Sequence, residues 1–319
     1  KLSQVMNSVE NGMKYLIIFI ILVLGFPLGT QGSSSLSEPI KEPLKVPVVV
    51  VPPLKVPGPT IGQSRKKRVP YQNGTPRPPK GLQRCEQVLQ PTQNLRMPVG
   101  ETIRYAVDIN GLSVGTIDFK VMNRGLFSGS DVYEYRSLFK IDSLVSTFMP
   151  VHGQAASVVQ LASQMPIKAM NRYSIEEEQF EENVDFENNG AKLVSNRQRN
   201  GKMATQSRFF DYGVQDFVTA FYQLRQMPRE INGCIIIYGN QRAYTVWIQK
   251  EGEENIKTPV GYRLADRYSI RYGSEYSKLI KTGHLWLGVD EHRLPYQVEI
   301  RSRHTLEARV HFYQEGGQN

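Results

Sequence analysis

Cysteine and tryptophan are scarce, with two of each in 319 residues. Two cysteines cannot build a four-cysteine zinc module, and no Cys-x-x-Cys occurs. The five histidines (His152, His284, His292, His304, His311) show no metal-ligand spacing, and His-Glu-x-x-His is missing. Gly-x-Ser-x-Gly occurs once, as Gly111-Leu112-Ser113-Val114-Gly115, but directly after Asn110 in a hairpin signal and not at a strand-to-helix turn. Ser-x-x-Lys occurs at Ser64–Lys67 in a proline-rich, basic stretch and at Ser137–Lys140 within an alternating strand pattern. No glycine loop built to cradle phosphate is present. The common signatures of metal and nucleotide chemistry are thus absent, and the serine motifs stand outside the local context a serine nucleophile needs. The apolar run that begins at Tyr15 is about 12 residues, short of the roughly 20 that cross a bilayer as a helix. No cysteine follows that run closely, so no lipid-modified anchor is available.

What the run does have is the layout of a secretory signal peptide. Lys14 precedes it, Pro27 and Gly29 end it, and Thr30-Gln31-Gly32 supplies small residues for a cut. Residues 13–32 are therefore read as a signal and residues 1–12 as an upstream extension from an overlong gene boundary. Residues 33–81 read as a linker. They hold eleven of the nineteen prolines, and Pro-Leu-Lys-Val-Pro occurs at both 43–47 and 53–57. Such density favours extended polyproline II, a semi-rigid spacer. The same stretch carries nine Lys or Arg against Glu38 and Glu42, so most of the net charge of +9 sits there. Export makes nucleic acid an unsuitable partner. A basic tail outside the cytoplasm suits anionic lipid head groups or acidic envelope polymers.

From Leu82 to Asn319 the pattern becomes that of strands. In 101–109, Ile103, Tyr105, Val107 and Ile109 alternate with polar residues, and Asn110-Gly111 follows as a hairpin signal. Further strands are readable at 114–121, 133–141, 166–175, 179–187, 203–210, 233–238, 243–250, 262–272, 283–289, 295–302 and 305–313. Repeated strand–helix–strand units are absent. The expected class is all-β, mainly antiparallel: a curved sheet, sandwich, or open or half barrel. One segment differs. Across 214–227, Phe217, Ala220, Phe221 and Leu224 share one helical face, with Asp211 as a possible cap and Pro228 as a stop. A shorter helical turn is expected at 144–148. A single amphipathic helix in such a chain plugs a barrel mouth or packs across a concave sheet.

Four short motifs now stand in order. They are Gly100-Glu101-Thr102-Ile103-Arg104-Tyr105 with Val114-Gly115-Thr116; Gln215-Asp216-Phe217 with Ala220-Phe221-Tyr222 and Leu224-Arg225; Thr258-Pro259-Val260-Gly261; and Leu285-Trp286-Leu287 with Asp290 and Arg293-Leu294-Pro295. Over roughly 85–313 this order resembles the exported bacterial family known as domain of unknown function 3108. The resemblance implies an envelope location and a β-rich fold similar to the half-barrels of periplasmic lipoprotein carriers. It brings no catalytic residues and no cofactor.

In an oxidising compartment an even pair of cysteines favours a disulfide, Cys85–Cys234, over two buried thiols. Candidate ligand contacts are Tyr105, Phe221, Tyr222, Trp247 and Trp286. Tyr244, Tyr262, Tyr268, Tyr272, Tyr276 and Tyr296 crowd the same C-terminal half, as core ladders or as a cavity lining. Four polar residues are read as structural: Asp216 at the helix start, Arg225, and Asp290 with Arg293 in a hairpin turn. His292 beside Asp290 and Glu291 could instead form an acid/base or metal cluster, but the turn explains it better. The acidic run Glu176–Glu178 with Glu181 and Glu182 reads as a solvated strand or loop.

The composite expectation is an exported, periplasmic, non-enzymatic protein that binds or carries an apolar or envelope-derived ligand, a lipid or a glycan. A structural envelope interaction module is the alternative, and an enzyme acting on cell-wall polymer ranks third. Amino-terminal sequencing of the exported form is expected to start near Ser33. A retained 13–32 segment would instead indicate an uncleaved inner-membrane tether.

Overall fold

Alternation of apolar and polar side chains persists almost without break from Thr102 to Gln314, and a computed structural model resolves it into fourteen strands. The structure describes residues 73–91, 97–141, 151–175, 178–259, 261–275, 277–302 and 304–317. The signal, most of the linker and the turn expected at 144–148 lie outside the described residues. In chain order the strands are β1 (Thr102–Ile109), β2 (Leu112–Phe127), β3 (Ser130–Ile141), β4 (Val151–Gln160), β5 (Pro166–Ile175), β6 (Glu178–Glu187), β7 (Lys192–Arg199) and β8 (Lys202–Phe209). Helix α1 (Phe217–Leu224) follows. The chain then continues through β9 (Asn232–Gly239), β10 (Arg242–Thr258), β11 (Gly261–Ser274), β12 (Lys281–Gly288), β13 (Pro295–Arg301) and β14 (Thr305–Gln314).

All fourteen join one antiparallel sheet, in the order β8-β7-β6-β5-β4-β3-β2-β1-β14-β13-β12-β11-β10-β9. Two meanders thus meet where β1 pairs with β14, and the sheet stays open between β8 and β9, so it is not a closed barrel. The Asn110-Gly111 hairpin is realised, with φ of 48° and 82° at its two turn residues. Two strands escape the sequence reading. β4 is Val-His-Gly-Gln-Ala-Ala-Ser-Val-Val-Gln, rich in small residues of low strand propensity, and β7 is mostly polar. Both form because neighbours on each side complete their ladders.

The helix is shorter than its apolar periodicity suggested. Asp216 is the N-cap, accepting from the N–H groups of Val218 (2.9 Å) and Thr219 (3.1 Å). Residues 214–215 are not helical; Gln215 bridges in parallel to Ile237 on β9. Asp211 does not cap α1. Its carboxylate accepts from the backbone N–H (2.7 Å) and hydroxyl (2.5 Å) of Thr75.

That contact belongs to a stretch of the segment read as a linker, which ends at residue 81. Asn73–Gly81 lie against the sheet. Gly74 N donates to Phe209 O at 2.8 Å, and Arg271 donates to Gly81 O at 3.0 Å. Pro79 sits so close to Gly273 that a Cβ there would come within 2.5 Å of its ring. A proline-rich segment can dock along an edge as well as hang free.

Cys85 and Cys234 are bonded, with Cα atoms 5.8 Å apart and a sequence separation of 149. The bond fastens the 85–89 segment to the outer edge of β9, where Val88 bridges to Cys234 and Leu89 N donates to Cys234 O at 2.8 Å. Cys234→Ser is expected to lower unfolding stability by about 2–5 kcal/mol under oxidising conditions. The same substitution should change little once the wild type is reduced. Paired denaturant melts with and without reductant check this.

Candidate functional site

The apolar face of α1 does not meet the sheet flush. Phe217, Ala220, Phe221 and Leu224, the four residues whose spacing defined that face, form one wall of an internal cavity of about 180 Å³. The opposite wall is built from cross-strand rows. Ile248, Ile270, Gly283, Ile300 and Leu306 stand side by side across β10 to β14. Gly283 is glycine because a Cβ there would come within 2.0 Å of Glu299 O on β13, and Ala220 and Ala308 contribute only methyl groups to the walls, so the two surfaces stand apart. Aromatic packing closes one flank. Phe119 stacks on Phe221 with centroids 3.7 Å apart, and Tyr105 meets both rings edge-on at 5.9 Å.

Polar contacts at both ends of α1 fix its distance from the sheet. At its start the buried Asp216 carboxylate also accepts from the hydroxyls of Ser157 on β4 and Thr219, each at 2.5 Å. Burial pushes this carboxyl above its ordinary pKa, and the donated hydrogen bonds oppose that rise. At its end Arg225 makes a bidentate pair with Glu101 (2.6 and 3.0 Å), and its Nε donates to His292 O at 3.0 Å. Arg225 and Glu101 are both almost wholly buried, at 2 % and 0 % exposed. Burial disfavours the guanidinium charge, but Glu101 more than offsets this and the Arg225 pKa rises. Gln226 on the following turn donates to Gln164 Oε1 at 3.0 Å.

The candidate ligand contacts divide. Tyr105 and Phe221 line the cavity, and the Tyr105 hydroxyl donates to Pro295 O at 2.6 Å. Tyr222 turns aside and stacks on Tyr135 at 4.0 Å. Trp247 lies between the cavity residues Val246 and Ile248, hence on the other face of β10, with its indole N–H on Gln83 O at 2.7 Å. Trp286 likewise faces away from its neighbour Leu285, and its indole N–H donates to Glu254. Strand alternation assigns both tryptophans away from the cavity. The four structural residues serve the framework. Asp290 accepts from His292 N (3.1 Å), Arg293 N (3.0 Å) and the Tyr296 hydroxyl (2.6 Å), which makes it a turn cap. Arg293 sits in that turn, buried, at φ 44°. Among the described residues no three His, Cys, Asp or Glu side chains are grouped to hold a metal.

Sequence reading missed the pairing of Glu101 with Arg225, although both lay in quoted motifs. It also took Glu182 for a solvated residue. Glu182 is buried and accepts from Asn240 N (2.5 Å), Gln241 N (2.8 Å) and Ser195 Oγ (2.7 Å), which joins β6 to the β9–β10 turn. Glu176 and Glu177 lie outside the described residues. Tyr276 does too, and Tyr262 is exposed. Tyr244 and Tyr272 do line the cavity.

A family model described as "Protein of unknown function (DUF3108)" matches residues 104–303. Three solved structures are similar to this chain. One is a β-barrel-like protein of domain of unknown function DUF1849 from Brucella abortus, at TM-score 0.49 and 10% identity, covering 69% of this chain and 99% of that one. Another is a candidate lipoprotein from Parabacteroides distasonis, at TM-score 0.34 and 11% identity, covering 72% and 100%. The third is a candidate exported protein with a YmcC-like fold from Bacteroides fragilis, at TM-score 0.33 and 8% identity, covering 71% and 99%. No curated protein matches the sequence.

Removing one member of the Glu101–Arg225 pair strands the other charge without water. Arg225→Met or Glu101→Gln is therefore expected to cost about 3–5 kcal/mol. The double variant Glu101→Leu/Arg225→Met should recover a large part of that loss. Urea unfolding of the three variants measures the difference.

Proposed function

The chain belongs to the DUF3108 family, and from that premise we propose that it is a non-enzymatic exported protein that holds an apolar ligand between α1 and the sheet. The carrying observation is the cavity itself. Protein interiors rarely keep voids larger than a water molecule. A fold that keeps an apolar space of about 180 Å³, with charged braces at both ends of the helix that walls it, gains hydrophobic burial when an apolar molecule fills it. The lining contains no carboxylate, which speaks against hydrolysis of a cell-wall polymer at this place. Its apolar surface suits a lipid chain better than a glycan. The signal-like leader fits a periplasmic location. The basic, proline-rich segment would keep the domain near anionic lipid head groups or envelope polymers.

The test is thermal unfolding in the presence of 1-octanol. Wild type is expected to gain several degrees, since a ligand at 100 times its Kd contributes about 2.7 kcal/mol. Ala220→Leu, which fills the cavity from the helix side, should melt higher than wild type without ligand and gain nothing from octanol. A wild-type midpoint that octanol leaves in place would count against the reading.

A further inference from the structure

Three arginines are buried among the described residues, Arg208, Arg225 and Arg293, at 0 %, 2 % and 3 % exposed. The first two face carboxylates. Arg208 is held by Glu275 at 2.5 and 2.9 Å, and Arg225 by Glu101 at 2.6 and 3.0 Å. Arg293 has no carboxylate partner among the described residues. Its Nε and Nη1 donate to nothing there, and its Nη2 reaches the Tyr268 hydroxyl at a long 3.4 Å. A buried lysine can escape such a position by giving up its proton, but a guanidinium stays charged. Its cost away from water therefore stands until an anion meets it.

The backbone at this residue carries a second cost. Arg293 has φ of 44°, and it is the one charged residue among the described non-glycine positions with positive φ; the rest are Asn, Gln or Ser. The turn between β12 and β13 needs an N–H there for the Asp290 carboxylate, which Asn or Gly would supply with less strain. The nearby carboxylates are committed to other groups. Asp266 receives Arg229 through both oxygens at 2.7 Å and Lys250 at 3.1 Å. Glu253 and Glu230, both exposed, lie 2.7 Å from Arg229 and from Lys250 respectively. Asp290 is taken up by the turn and by Tyr296. Arg229 and Lys250 belong to the same corner. The Tyr268 hydroxyl donates to Arg229 O at 2.9 Å, and Lys250 stands beside Tyr268 in register. Arg229 is 41 % exposed along its side chain, so the corner borders solvent.

We propose that Arg293 receives a phosphate group, either free phosphate or the head group of a lipid. The planar guanidinium takes such an oxyanion through two parallel N–H groups. A phosphate then has oxygens left over for Lys250 and Arg229 at the same corner, which a single carboxylate has not. Arg293 and Tyr268 lie outside the lining of the cavity, so the site stands whether or not that space holds a ligand.

Thermal unfolding and calorimetric titration of the purified chain at pH 7 test the assignment, with sodium phosphate, glycerol 3-phosphate and sodium chloride at matched ionic strength. Wild type is expected to gain several degrees in phosphate over chloride. Arg293→Met should gain nothing, and Arg293→Met and Arg293→Lys should each bind phosphate at least tenfold more weakly than wild type. In chloride alone Arg293→Met should melt at or above wild type, since it removes a charge that has no partner, whereas Arg225→Met falls. Tighter binding of glycerol 3-phosphate than of phosphate assigns the lipid head group; equal or weaker binding assigns the free ion. A wild-type midpoint that phosphate does not move relative to chloride would overturn the proposal. So would an Arg293→Met protein that melts well below wild type in chloride, or one that gains from phosphate as wild type does.

Discussion

Backbone N–H and C=O groups on a bare sheet edge must find partners, and a fourteen-strand meander that does not close leaves two such edges, on β8 and β9. Most of the unusual chemistry in this chain answers that requirement. On the β9 side, the segment around Val88 and the residue Gln215 each add a short parallel bridge, and the Cys85–Cys234 bond keeps the first of them in place. On the β8 side, Gly74 donates to Phe209 O, and Thr75 is tied to Asp211. Across the gap the links are side chains. Glu182 caps the β9–β10 turn from β6, Gln206 meets Tyr238, and the buried Arg208 pairs with Glu275. A ladder would hold the two edges at one fixed spacing. Side-chain links hold them at a spacing set by volume and charge.

That spacing leaves room for the helix. The segment that enters β9 starts as the bridge at Gln215, turns at Asp216 and becomes α1, so the helix lies over the concave face next to the open seam. Two polar contacts, Asp216 with Ser157 and Arg225 with Glu101, clamp it at its ends. Between the clamps Phe217, Ala220, Phe221 and Leu224 face the cavity. A helix held at its ends by polar geometry cannot settle further to fill a gap beneath its middle. The cavity is therefore a consequence of how α1 is fixed, and its small lining residues, Ala220 and Ala308, keep it open.

The buried charges share one character. Glu101, Glu182, Asp216, Asp266 and Glu275 are each surrounded by donors or cations. Asp266, for example, is buried yet has its pKa lowered, because Arg229 and Lys250 outweigh the cost of desolvation. Carboxylates so engaged act as braces.

Much of this was legible in the residues alone. Period-two alternation produced the antiparallel class and most strands, since a half-buried strand needs that period. Asn110-Gly111 specified a turn because both residues must take positive φ. Phe217, Ala220, Phe221 and Leu224 named the helix face that lines the cavity, and two cysteines in a chain read as exported implied their bond. Tertiary structure decided the rest. β4 and β7 carry little local strand preference and exist because their neighbours complete them. Asn73–Gly81 dock through single hydrogen bonds that composition cannot register. Trp247 and Trp286 attracted notice as large aromatics, yet one residue of register turned each away from the cavity. Glu101 and Arg225 lie 124 residues apart, so nothing local marks them as partners. Propensity and periodicity act over a few residues, whereas the closing of an open sheet is settled between groups far apart in the chain.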